Sequence, residues 1–599
     1  MRIASLHRLS PLRLCTVVFC ALVLGSLSLG TFSGCANRGS GPQGGPKDSI
    51  PPLPVKSIPE NGAVNFHGDR IEILFNEYLQ LDNVSKNLLM SPPQQTPPEV
   101  KARGKRVLIR FEDSLQTDAT YTLDFGAAIC DYTEKNPIRG YAFAFSTGPE
   151  IDTLELFGRV INAEDLNPVT DILAGIHRIH HDSAFTSMPF TRIARTDSVG
   201  AFRIGNIHPG QYRLYAVDDF SRDYRLTVGE GLAYSDSLYA PPAENALLWF
   251  FQETKSRLYL QRLLRDKQHM VQLFFSTSPD SLPVLRPLSP SALDTTRSDS
   301  GWVDPSPYML MVPSAHFDTV TLWLTDSLAI SLDTITLEAR YRRSDSLYNF
   351  EWYTDTLRAV WRAPKLNDRA KAAQDRQNRN RKLELKSNAR KGFELYDTLS
   401  VTCSTPLRDI YADSLHLYER KDTVYKRVPF QMLTSDMRVQ IVAKLEQGKN
   451  YELQVDSAAM TDVYGIANHA QKFSLQMKTP EDYSTLRVRV IPYNAHIRVQ
   501  LLNNKDKVLR EQPAKTDGAF FKHLKPDSYY LRLYIDTNGD GQWTTGSWED
   551  YRQPEPVYYY PGKIQTKANW DFEEEWDYTV KPQLESKPRE LINVGAKKK

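Results

Sequence analysis

Residues 200–217 read GAFRIGNIHPGQYRLYAV, and residues 518–535 read GAFFKHLKPDSYYLRLYI, so one plan occurs twice in different letters. Counted from the proline of each copy, a tyrosine follows at +3, a leucine at +5, an aspartate at +10 and a glycine at +20. Apolar residues at alternate positions indicate half-buried strands, and matched offsets indicate a repeated module. We therefore predict two copies of one β-sandwich, over residues 151–240 and 483–580.

Two other segments, residues 53–150 and 393–482, share a different plan. In each, a run of alternating apolar residues is followed four positions later by a leucine, and a tyrosine-led run comes further along the chain. Short strands bounded by Gly, Pro, Asn or Asp are typical of sandwiches rather than parallel α/β sheets. The corresponding runs are 71–75 with 399–403, and 121–125 with 451–455.

The remaining segments lie between and after these repeats. Residues 241–363 also alternate, which predicts a middle β-sandwich. Residues 364–392 do not alternate, and the stretch 365–391 contains ten Lys or Arg against three acidic residues. That composition is compatible with an exposed helix or a disordered linker, and its charge with a contact to lipid phosphate, nucleic acid or an acidic polymer. We favour a solvated linker here and a short tail over residues 581–599.

The N-terminus has the pattern of an export signal. Basic residues precede an apolar run over residues 14–29, as in the n-region and h-region of a secretory signal. The run leads to Phe-Ser-Gly-Cys at 32–35, which resembles the lipobox of bacterial lipoproteins. The resemblance implies cleavage after residues 1–34 and lipidation of Cys35; the alternative is an ordinary signal peptide. Residues 35–52 are rich in Gly and Pro, which indicates a flexible tether.

The two repeats resemble known domain families. Residues 55–149 and 393–482 are similar to bacterial Ig-like domains of the SbsA type. The glycine, phenylalanine, Pro-Gly and tyrosine pattern of residues 196–229, repeated in 516–546, resembles the carboxypeptidase-regulatory-like (CnaB-like, prealbumin-like) sandwich. The expected fold class is therefore all-β, with tandem Ig-like and prealbumin-like sandwiches behind a cleaved lipoprotein signal peptide. The second resemblance implies a domain without catalytic residues of its own.

Overall composition excludes several classes of protein. The 599 residues include 74 basic and 72 acidic ones, a balance that excludes a generally basic nucleic-acid binder and a generally acidic disordered chain. After residue 34 no apolar run approaches the ~20 residues that span a bilayer. Of five cysteines, only Cys130 and Cys403 remain beyond Cys35, and their strand-like surroundings predict buried thiols rather than a disulfide framework.

One loop carries a candidate metal site. Asp536, Asn538 and Asp540 are spaced as the first three ligands of a calcium loop, and Gly541 stands where such loops turn sharply. Ser547 occupies the position of the bidentate glutamate, so the pattern is incomplete. The alternative is an Asx-rich hairpin turn, and the recurrence of the turn at 219–223 with poorer ligands favours it.

Two further groups of side chains were weighed as binding residues. His177 and His181 share one face of a predicted strand and could seed a metal site, although scattered surface histidines are commoner. Aromatic residues crowd the C-terminal part and could stack on sugar rings or be half-buried in a sandwich. They are Trp543, Trp548, Tyr558, Tyr559, Tyr560, Trp570 and Trp576.

No metalloprotease, phosphate-loop or nucleophile-elbow motif is present, so the sequence predicts a non-enzymatic protein. We expect a lipid-anchored envelope scaffold or interaction module in which the sandwiches form a rod. Ala36 after the lipidated cysteine favours the outer membrane, and the lack of acidic residues there favours its periplasmic face. The expected partners are the membrane, through the lipid, and an unidentified envelope protein or glycan, without nucleic acid. The alternatives are a glycan-binding or adhesive surface lipoprotein and an enzyme whose site is assembled from scattered residues.

Overall fold

The structure, a computed structural model, confirms the all-β prediction, because strands predominate in the part of the chain that it describes and each helix with defined bounds there is a single turn. No helix among the residues it covers combines the length and apolar character that a membrane crossing requires. The structure describes residues 48–178, 181, 183–253, 257–287, 309–345, 350–363, 367–369, 372–373, 376 and 381–593.

The first sandwich encloses a core formed by alternate residues of its strands, such as Ile71, Ile73 and Phe75. One sheet has the order β1-β2-β6-β5, a second has the order β4-β7-β9, and β3 pairs with β8. A helical turn, α1, spans Val84–Asn87. The strands are β1 Pro54–Ile58, β2 Arg70–Phe75, β3 Leu79–Leu81, β4 Leu89–Ser91, β5 Glu99–Arg103, β6 Arg106–Arg110, β7 Thr120–Asp124, β8 Ile129–Asp131 and β9 Ala142–Ser146.

The second sandwich ends later than the sequence predicts. Its sheets have the orders β13-β10-β16 and β12-β11-β14-β15, and β16 lies parallel to β10. The predicted boundary at residue 240 is therefore wrong, because β16 is part of this core. A helical turn, α2, spans Ala184–Ser187. The strands are β10 Leu154–Asn162, β11 Leu173–His177, β12 Arg192–Arg195, β13 Ala201–Ile207, β14 Tyr212–Val217, β15 Leu232–Tyr239 and β16 Ala243–Phe250.

The third sandwich consists of the sheets β17-β18-β21-β20 and β19-β22-β23. Alternate residues such as Leu322 and Leu337 are fully buried between them, as the pattern of the middle segment indicates. A helical turn, α3, spans Ser327–Ser331. The strands are β17 Leu260–Lys267, β18 Met270–Phe275, β19 Val284–Pro287, β20 Met309–Pro313, β21 Thr319–Leu324, β22 Thr334–Ser344 and β23 Phe350–Val360.

The fourth sandwich repeats the strand order of the first. Its sheet β24-β26-β31-β30 corresponds to β1-β2-β6-β5, and the pair β27-β33 corresponds to β3-β8. Leu383 and β24 belong to the core, so this sandwich begins inside the segment predicted as linker. Single 3-10 turns span Ala412–Ser414 and Pro480–Asp482. The strands are β24 Leu385–Ser387, β25 Lys391–Phe393, β26 Leu399–Cys403, β27 Leu407–Ile410, β28 Leu415–Lys421, β29 Val424–Arg427, β30 Phe430–Ser435, β31 Arg438–Ala443, β32 Asn450–Val455, β33 Met460–Asp462 and β34 Gln471–Met477.

The fifth sandwich repeats the plan of the second. Strand β35 pairs antiparallel with β38 and parallel with β42, as β10 does with β13 and β16. After β42 come the turns α4, Gln583–Ser586, and Arg589–Leu591. The strands are β35 Ser484–Ile491, β36 Ile497–Leu502, β37 Val508–Pro513, β38 Ala519–Leu524, β39 Ser528–Ile535, β40 Val557–Tyr559, β41 Ile564–Gln565 and β42 Asp571–Asp577.

Repeated tyrosine hydrogen bonds support both pairings. The hydroxyl of Tyr121 accepts the Gln116 amide at 2.8 Å, and that of Tyr451 accepts the Glu446 amide at 2.8 Å, five residues away in each case. In the other pair, tyrosine hydroxyls donate to the carbonyl oxygen four residues earlier, Tyr212 at 2.7 Å and Tyr529 at 2.9 Å.

The five sandwiches do not form a rod. Tyr464 of the fourth sandwich contacts His269 of the third, with ring centroids 5.2 Å apart. Glu394 joins the fourth sandwich to Lys525 of the fifth, at 2.8 Å. The fifth sandwich in turn packs on the second, and Arg532 Nη1 donates to the Glu164 carbonyl oxygen at 3.1 Å. Because the chain itself joins the second sandwich to the third, these contacts close the second to fifth sandwiches into a circuit.

Candidate functional site

The interface between the second and fifth sandwiches, which we call the seam, is the most elaborate contact between remote parts of the chain. It has three parts, namely an aromatic cluster, a buried lysine and a cavity. Part of the fifth sandwich's contribution comes from the loop between β39 and β40, residues 536–556, which we call the docking arm. The predicted calcium ligands lie at the start of this arm.

Asp536 shapes the docking arm through hydrogen bonds to its backbone. The carboxylate is buried and accepts the Gly539 amide at 2.7 Å and the Gly541 amide at 2.9 Å. Both glycines have positive φ angles, 74° and 77°, which a residue without Cβ adopts at little cost. Because both carboxylate oxygens already have donors, these contacts are those of the turn that the sequence offered as the alternative to calcium.

The other two predicted ligands are also bonded within the loop. The Asn538 side-chain amide donates to Asp540 Oδ2 at 3.0 Å and to Thr544 Oγ1 at 2.8 Å. In the described part of the chain, no group of three or more His, Cys, Asp or Glu side chains is arranged to hold a metal ion. Calcium at this loop therefore remains a prediction.

A buried glutamate accepts backbone hydrogen bonds in each copy of the loop, and neither glutamate was predicted from the sequence. Glu555 accepts the backbone amides of Thr537 at 2.7 Å and Thr544 at 2.9 Å. In the second sandwich Glu230 accepts the amides of Ser221 at 3.1 Å and Thr227 at 3.0 Å. Burial raises the pKa of Glu230. The number of residues between the aspartate and the glutamate differs between the two copies. A comparison of the copies at fixed offsets therefore does not align the glutamates.

Trp548, in the docking arm, inserts into an aromatic cluster of the second sandwich. Its ring centroid lies 5.0 Å from that of Phe185 and 5.2 Å from that of Tyr234, both edge to face. Burial raises the pKa of Tyr234, whose hydroxyl lies in this apolar setting. Gly546 is needed nearby, because a Cβ there would lie 2.5 Å from the Phe251 ring.

Hydrogen bonds fix the arm on either side of that tryptophan. The Trp548 backbone amide donates to Glu253 Oε1 at 2.6 Å, and the Thr545 hydroxyl donates to the Gln252 carbonyl oxygen at 3.0 Å. Edge-to-face aromatic pairs contribute about 0.5–1.5 kcal/mol each beyond the burial of their surface. The arm is therefore held by a specific contact rather than by a general apolar patch.

Lys587, in the predicted tail, has a side chain that is 1% exposed at the seam. Its ammonium group donates three hydrogen bonds, to the Asp165 carbonyl oxygen (2.6 Å), Asn167 Oδ1 (2.9 Å) and Asp506 Oδ2 (2.7 Å). A buried charge needs such partners, because desolvation is otherwise costly. The described part of the segment predicted as a tail, 581–593, is thus an element of the interface.

A cavity of about 420 Å³ lies in the seam beside these contacts. Gln553 crosses from the docking arm, and its Nε2 donates to the Tyr234 carbonyl oxygen at 3.1 Å and to Asp236 Oδ1 at 3.0 Å. Its Oε1 is buried and has no hydrogen-bond partner among the described residues. Gln553 therefore links the two sides of the cavity. Other lining residues are Tyr239, Trp249, Pro554, Pro556 and Gln583.

The C-terminal aromatic residues serve mainly for packing rather than as a sugar-stacking surface. Tyr559 and Trp576 are 1% and 2% exposed, and Trp543 and Tyr558 are packed against the cores. Only Trp570 of the group is largely exposed, at 58%. The sequence showed the aromatic content, but not that these positions face two different cores.

A surface in the third sandwich, not anticipated from the sequence, carries exposed aromatic residues. Arg340 lies over the Trp352 ring at 5.1 Å, and Arg342 lies over the Phe350 ring at 5.2 Å. The two aromatic residues are 51% and 52% exposed. We call these four residues the arginine–aromatic face. Arg340 and Arg342 alternate with buried residues of β22, and Phe350 and Trp352 of β23 pair opposite Ser344 and Arg342 of β22.

The remaining residues singled out in the sequence are three cysteines and two histidines. Cys130 and Cys403 are buried free thiols, as predicted, and burial raises the pKa of Cys403 to about 12. His177 is buried against Phe190, and burial lowers its pKa to about 4, whereas His181 is exposed. This arrangement gives no support to a histidine metal site, which was the less favoured of the two interpretations. Cys35 lies outside the described residues.

Comparison with known families identifies one of the sandwiches. Residues 48–147 match the family described as a bacterial Ig-like domain, so the chain contains such a domain at its N-terminal side. The match begins a few residues before the predicted boundary at residue 53. The comparison with curated proteins gives no match.

Solved structures resemble the chain in fold alone. The N-terminal part of the bacterial S-layer protein SbsC is 10% identical with a TM-score of 0.16, covering 28% of this chain and 45% of its own length. BcpA, the major pilin subunit of Bacillus cereus, is 8% identical with a TM-score of 0.13, covering 72% and 99%. A native α2-macroglobulin fragment from Escherichia coli is 15% identical with a TM-score of 0.16, covering 48% and 94%. At these scores no function is transferred.

Proposed function

We propose that this chain is a non-enzymatic scaffold or interaction module of a bacterial envelope, held at a membrane by lipid on Cys35. The single observation that carries the proposal is the seam, which connects residues more than 300 positions apart through Trp548 and Lys587. A chain that commits its C-terminal segment to such an interface is suited to present surfaces in a fixed arrangement. Within the proposal, the second and fifth sandwiches are carboxypeptidase-regulatory-like modules and the fourth is a second Ig-like domain.

The use of buried charges supports a structural role. Lys587 is nearly inaccessible, and its ammonium group donates all three of its hydrogen bonds to partners within the fold. Glu394 likewise joins two sandwiches. A catalytic acid or base needs access to a substrate, which these positions do not have.

The membrane attachment in this proposal comes from the N-terminal sequence. The lipobox-like residues 32–35 supply the anchor, and the Gly/Pro-rich residues 36–52 supply a spacer. Acyl chains contribute about 0.8 kcal/mol per buried CH₂, so multiple chains hold a protein firmly. We place the body on the periplasmic face of the outer membrane, in contact with an envelope protein or glycan and not with nucleic acid.

The first test replaces the proposed lipidation site. Cys35→Ser should move the protein from the membrane fraction to the soluble fraction, while the matched control Cys20→Ser in the signal should leave it membrane-bound. Continued membrane retention of Cys35→Ser would contradict lipid anchoring. Protease treatment of intact against lysed cells then tests the periplasmic placement, which digestion in intact cells would exclude.

A second candidate function, glycan binding by an adhesive lipoprotein, is favoured by the arginine–aromatic face. Guanidinium groups can bind carboxylates of acidic sugars, and exposed aromatic rings can pack against sugar rings. We expect acidic polysaccharides to bind the wild type and to bind Trp352→Ala and Arg340→Gln more weakly. The control is Trp570→Ala, which removes another exposed tryptophan; equal loss in the control would contradict this assignment.

A further inference from the structure

We propose that the seam cavity binds a neutral sugar unit, and that its occupation strengthens the docking of the fifth sandwich on the second. The inference goes beyond the scaffold proposed above and concerns a different surface from the arginine–aromatic face. It would stand or fall independently of either.

Both sandwiches build the cavity. Tyr239 and Trp249 come from the second sandwich, and Gln553 and Pro554 come from the docking arm. A volume of about 420 Å³ lies within the ~300–1,000 Å³ range of small-molecule sites, which often occur at domain interfaces. The side chain of Asp236 is exposed at the rim, which gives a ligand access from solvent.

The hydrogen-bonding groups of the cavity require a ligand that can donate. Both Nε2 hydrogens of Gln553 are used, one toward the Tyr234 carbonyl oxygen and one toward Asp236. The Asp236 carboxylate is exposed at the rim and has acceptor sites beyond that one bond, whereas Gln553 Oε1 is inaccessible. A ligand hydroxyl group that donates to Asp236 makes a charge-assisted hydrogen bond, so a ligand that can donate is favoured.

The charge of the cavity excludes anions. Its ionisable lining groups include the carboxylates of Asp236 and Glu555, and none of the described residues that line it is a lysine, arginine or histidine. An anionic ligand would therefore meet like charge without a compensating cation. Neutral ligands with several hydroxyl groups do not incur this cost.

The walls of the cavity suit the apolar C–H faces of a sugar ring. Trp249 and Tyr239 offer aromatic surface, and Pro554 and Pro556 offer aliphatic surface, next to the polar groups of Gln553 and Gln583. A pyranose combines C–H faces, which pack on aromatic rings, with hydroxyl groups that both donate and accept. A purely apolar ligand would leave the polar groups unsatisfied.

Occupation and docking are linked because the site needs both sandwiches. A ligand that binds only the closed seam stabilises it by RT ln(1 + [L]/Kd). The same coupling acts in reverse, so any variant that opens the seam lowers the affinity for the sugar. Trp548 and Lys587 are therefore positioning residues for the cavity.

The experiment uses the mature chain with its lipid site replaced by Cys35→Ser. Calorimetry is performed with a panel of glucose, galactose, mannose, N-acetylglucosamine and their neutral β-linked disaccharides. We expect at least one member of the panel to bind and to raise the thermal midpoint. Asp236→Ala should weaken the binding of that sugar about ten-fold, the loss of roughly one hydrogen bond, and Gln553→Met should weaken it by removing the bonds that hold the two sides of the cavity together.

Two controls separate the cavity from other effects. Trp352→Ala and Trp570→Ala should leave the neutral-sugar affinity unchanged, and the midpoint without sugar shows whether each cavity variant is folded. Trp548→Ala should weaken sugar binding indirectly, by weakening the docking of the two sandwiches, because Trp548 does not line the cavity. No binding by any panel member, or equal binding by the cavity variants, overturns the proposal. Binding of the diamine putrescine with the same residue dependence, in place of any sugar, would overturn the assigned ligand class.

Discussion

Glu394 is a buried carboxylate on which the junction of the fourth and fifth sandwiches depends. It accepts hydrogen bonds from the Tyr483 hydroxyl at 2.6 Å and from Lys525 at 2.8 Å. Burial by itself raises the pKa of Glu394, but the hydrogen bonds from Lys525, Tyr483 and Lys478 outweigh it and lower the pKa from its ordinary value of 4.5 to about 2. The ionised form is therefore stabilised by folding.

We predict that Glu394→Gln lowers the free energy of unfolding at neutral pH by about 2–3 kcal/mol. A folded pKa below the unfolded one means that the stabilisation is complete above pH 4.5 and is lost as the pH falls toward 2. The difference between wild type and variant, measured by urea unfolding, should thus shrink at acidic pH. Glu446→Gln, which removes an exposed carboxylate paired with Lys449, is the matched control. A difference independent of pH would contradict this account.

At the residue scale, local patterns predicted turns and buried thiols but not partners. Glycines at 539 and 541 marked a turn because only a few residues tolerate positive φ, and Cys403 was placed in a core by its alternating neighbours. Lys587 could not be found this way, since its acceptors Asp165 and Asp506 lie far away in the sequence. A charged residue near a chain end reads as solvated unless its distant partners are known.

At the scale of elements, the period of two predicted the strands because each has one buried face. The closing strands β16 and β42 were harder, because their parallel partners β10 and β35 begin about 90 residues earlier. The sequence of the closing strand does not indicate which strand pairs with it. For this reason the predicted boundary of the second sandwich was too early, although its strands were recognisable.

The docking arm is the element whose loss should open the seam. We predict that Trp548→Ala costs about 1–3 kcal/mol of docking free energy, because this half-buried ring makes two edge-to-face contacts of about 0.5–1.5 kcal/mol each. Hydrogen exchange should then quicken in residues 545–556 and in α4, while the five cores remain protected. Trp570→Ala, at an exposed site, should change neither. Unaltered exchange in the arm of Trp548→Ala would show that the cluster does not hold it.

At the scale of the whole molecule, the circuit of contacts replaces the expected rod. A rod is the simple expectation for tandem sandwiches, since neighbours in sequence are commonly neighbours in space. The contact between Tyr464 and His269, and the seam, add connections that no periodic pattern encodes. Tertiary contacts between repeats are set by single side chains such as Trp548, not by the repeat itself.

We predict that the two halves of the molecule stay together after the chain is cut. A specific protease sequence in place of residues 367–376 would allow cleavage between the third and fourth sandwiches. The fragments should co-elute in size-exclusion chromatography, because the seam joins them. Adding Trp548→Ala and Lys587→Met should separate them, whereas Lys581→Met, an exposed neighbour, should not. Separation of the fragments in the otherwise unaltered chain would contradict the circuit of contacts and support a rod.

The parallel pairing of β42 with β35 also imposes an order of events on the export proposed above. A chain that crosses a membrane from its N-terminus delivers β35 about 90 residues before the strand that must lie beside it. The first four sandwiches can be complete while the fifth still lacks an edge, and Lys587 emerges later still. We therefore expect the circuit to close late, so a chain truncated before β42 would be folded in most of its parts and left open.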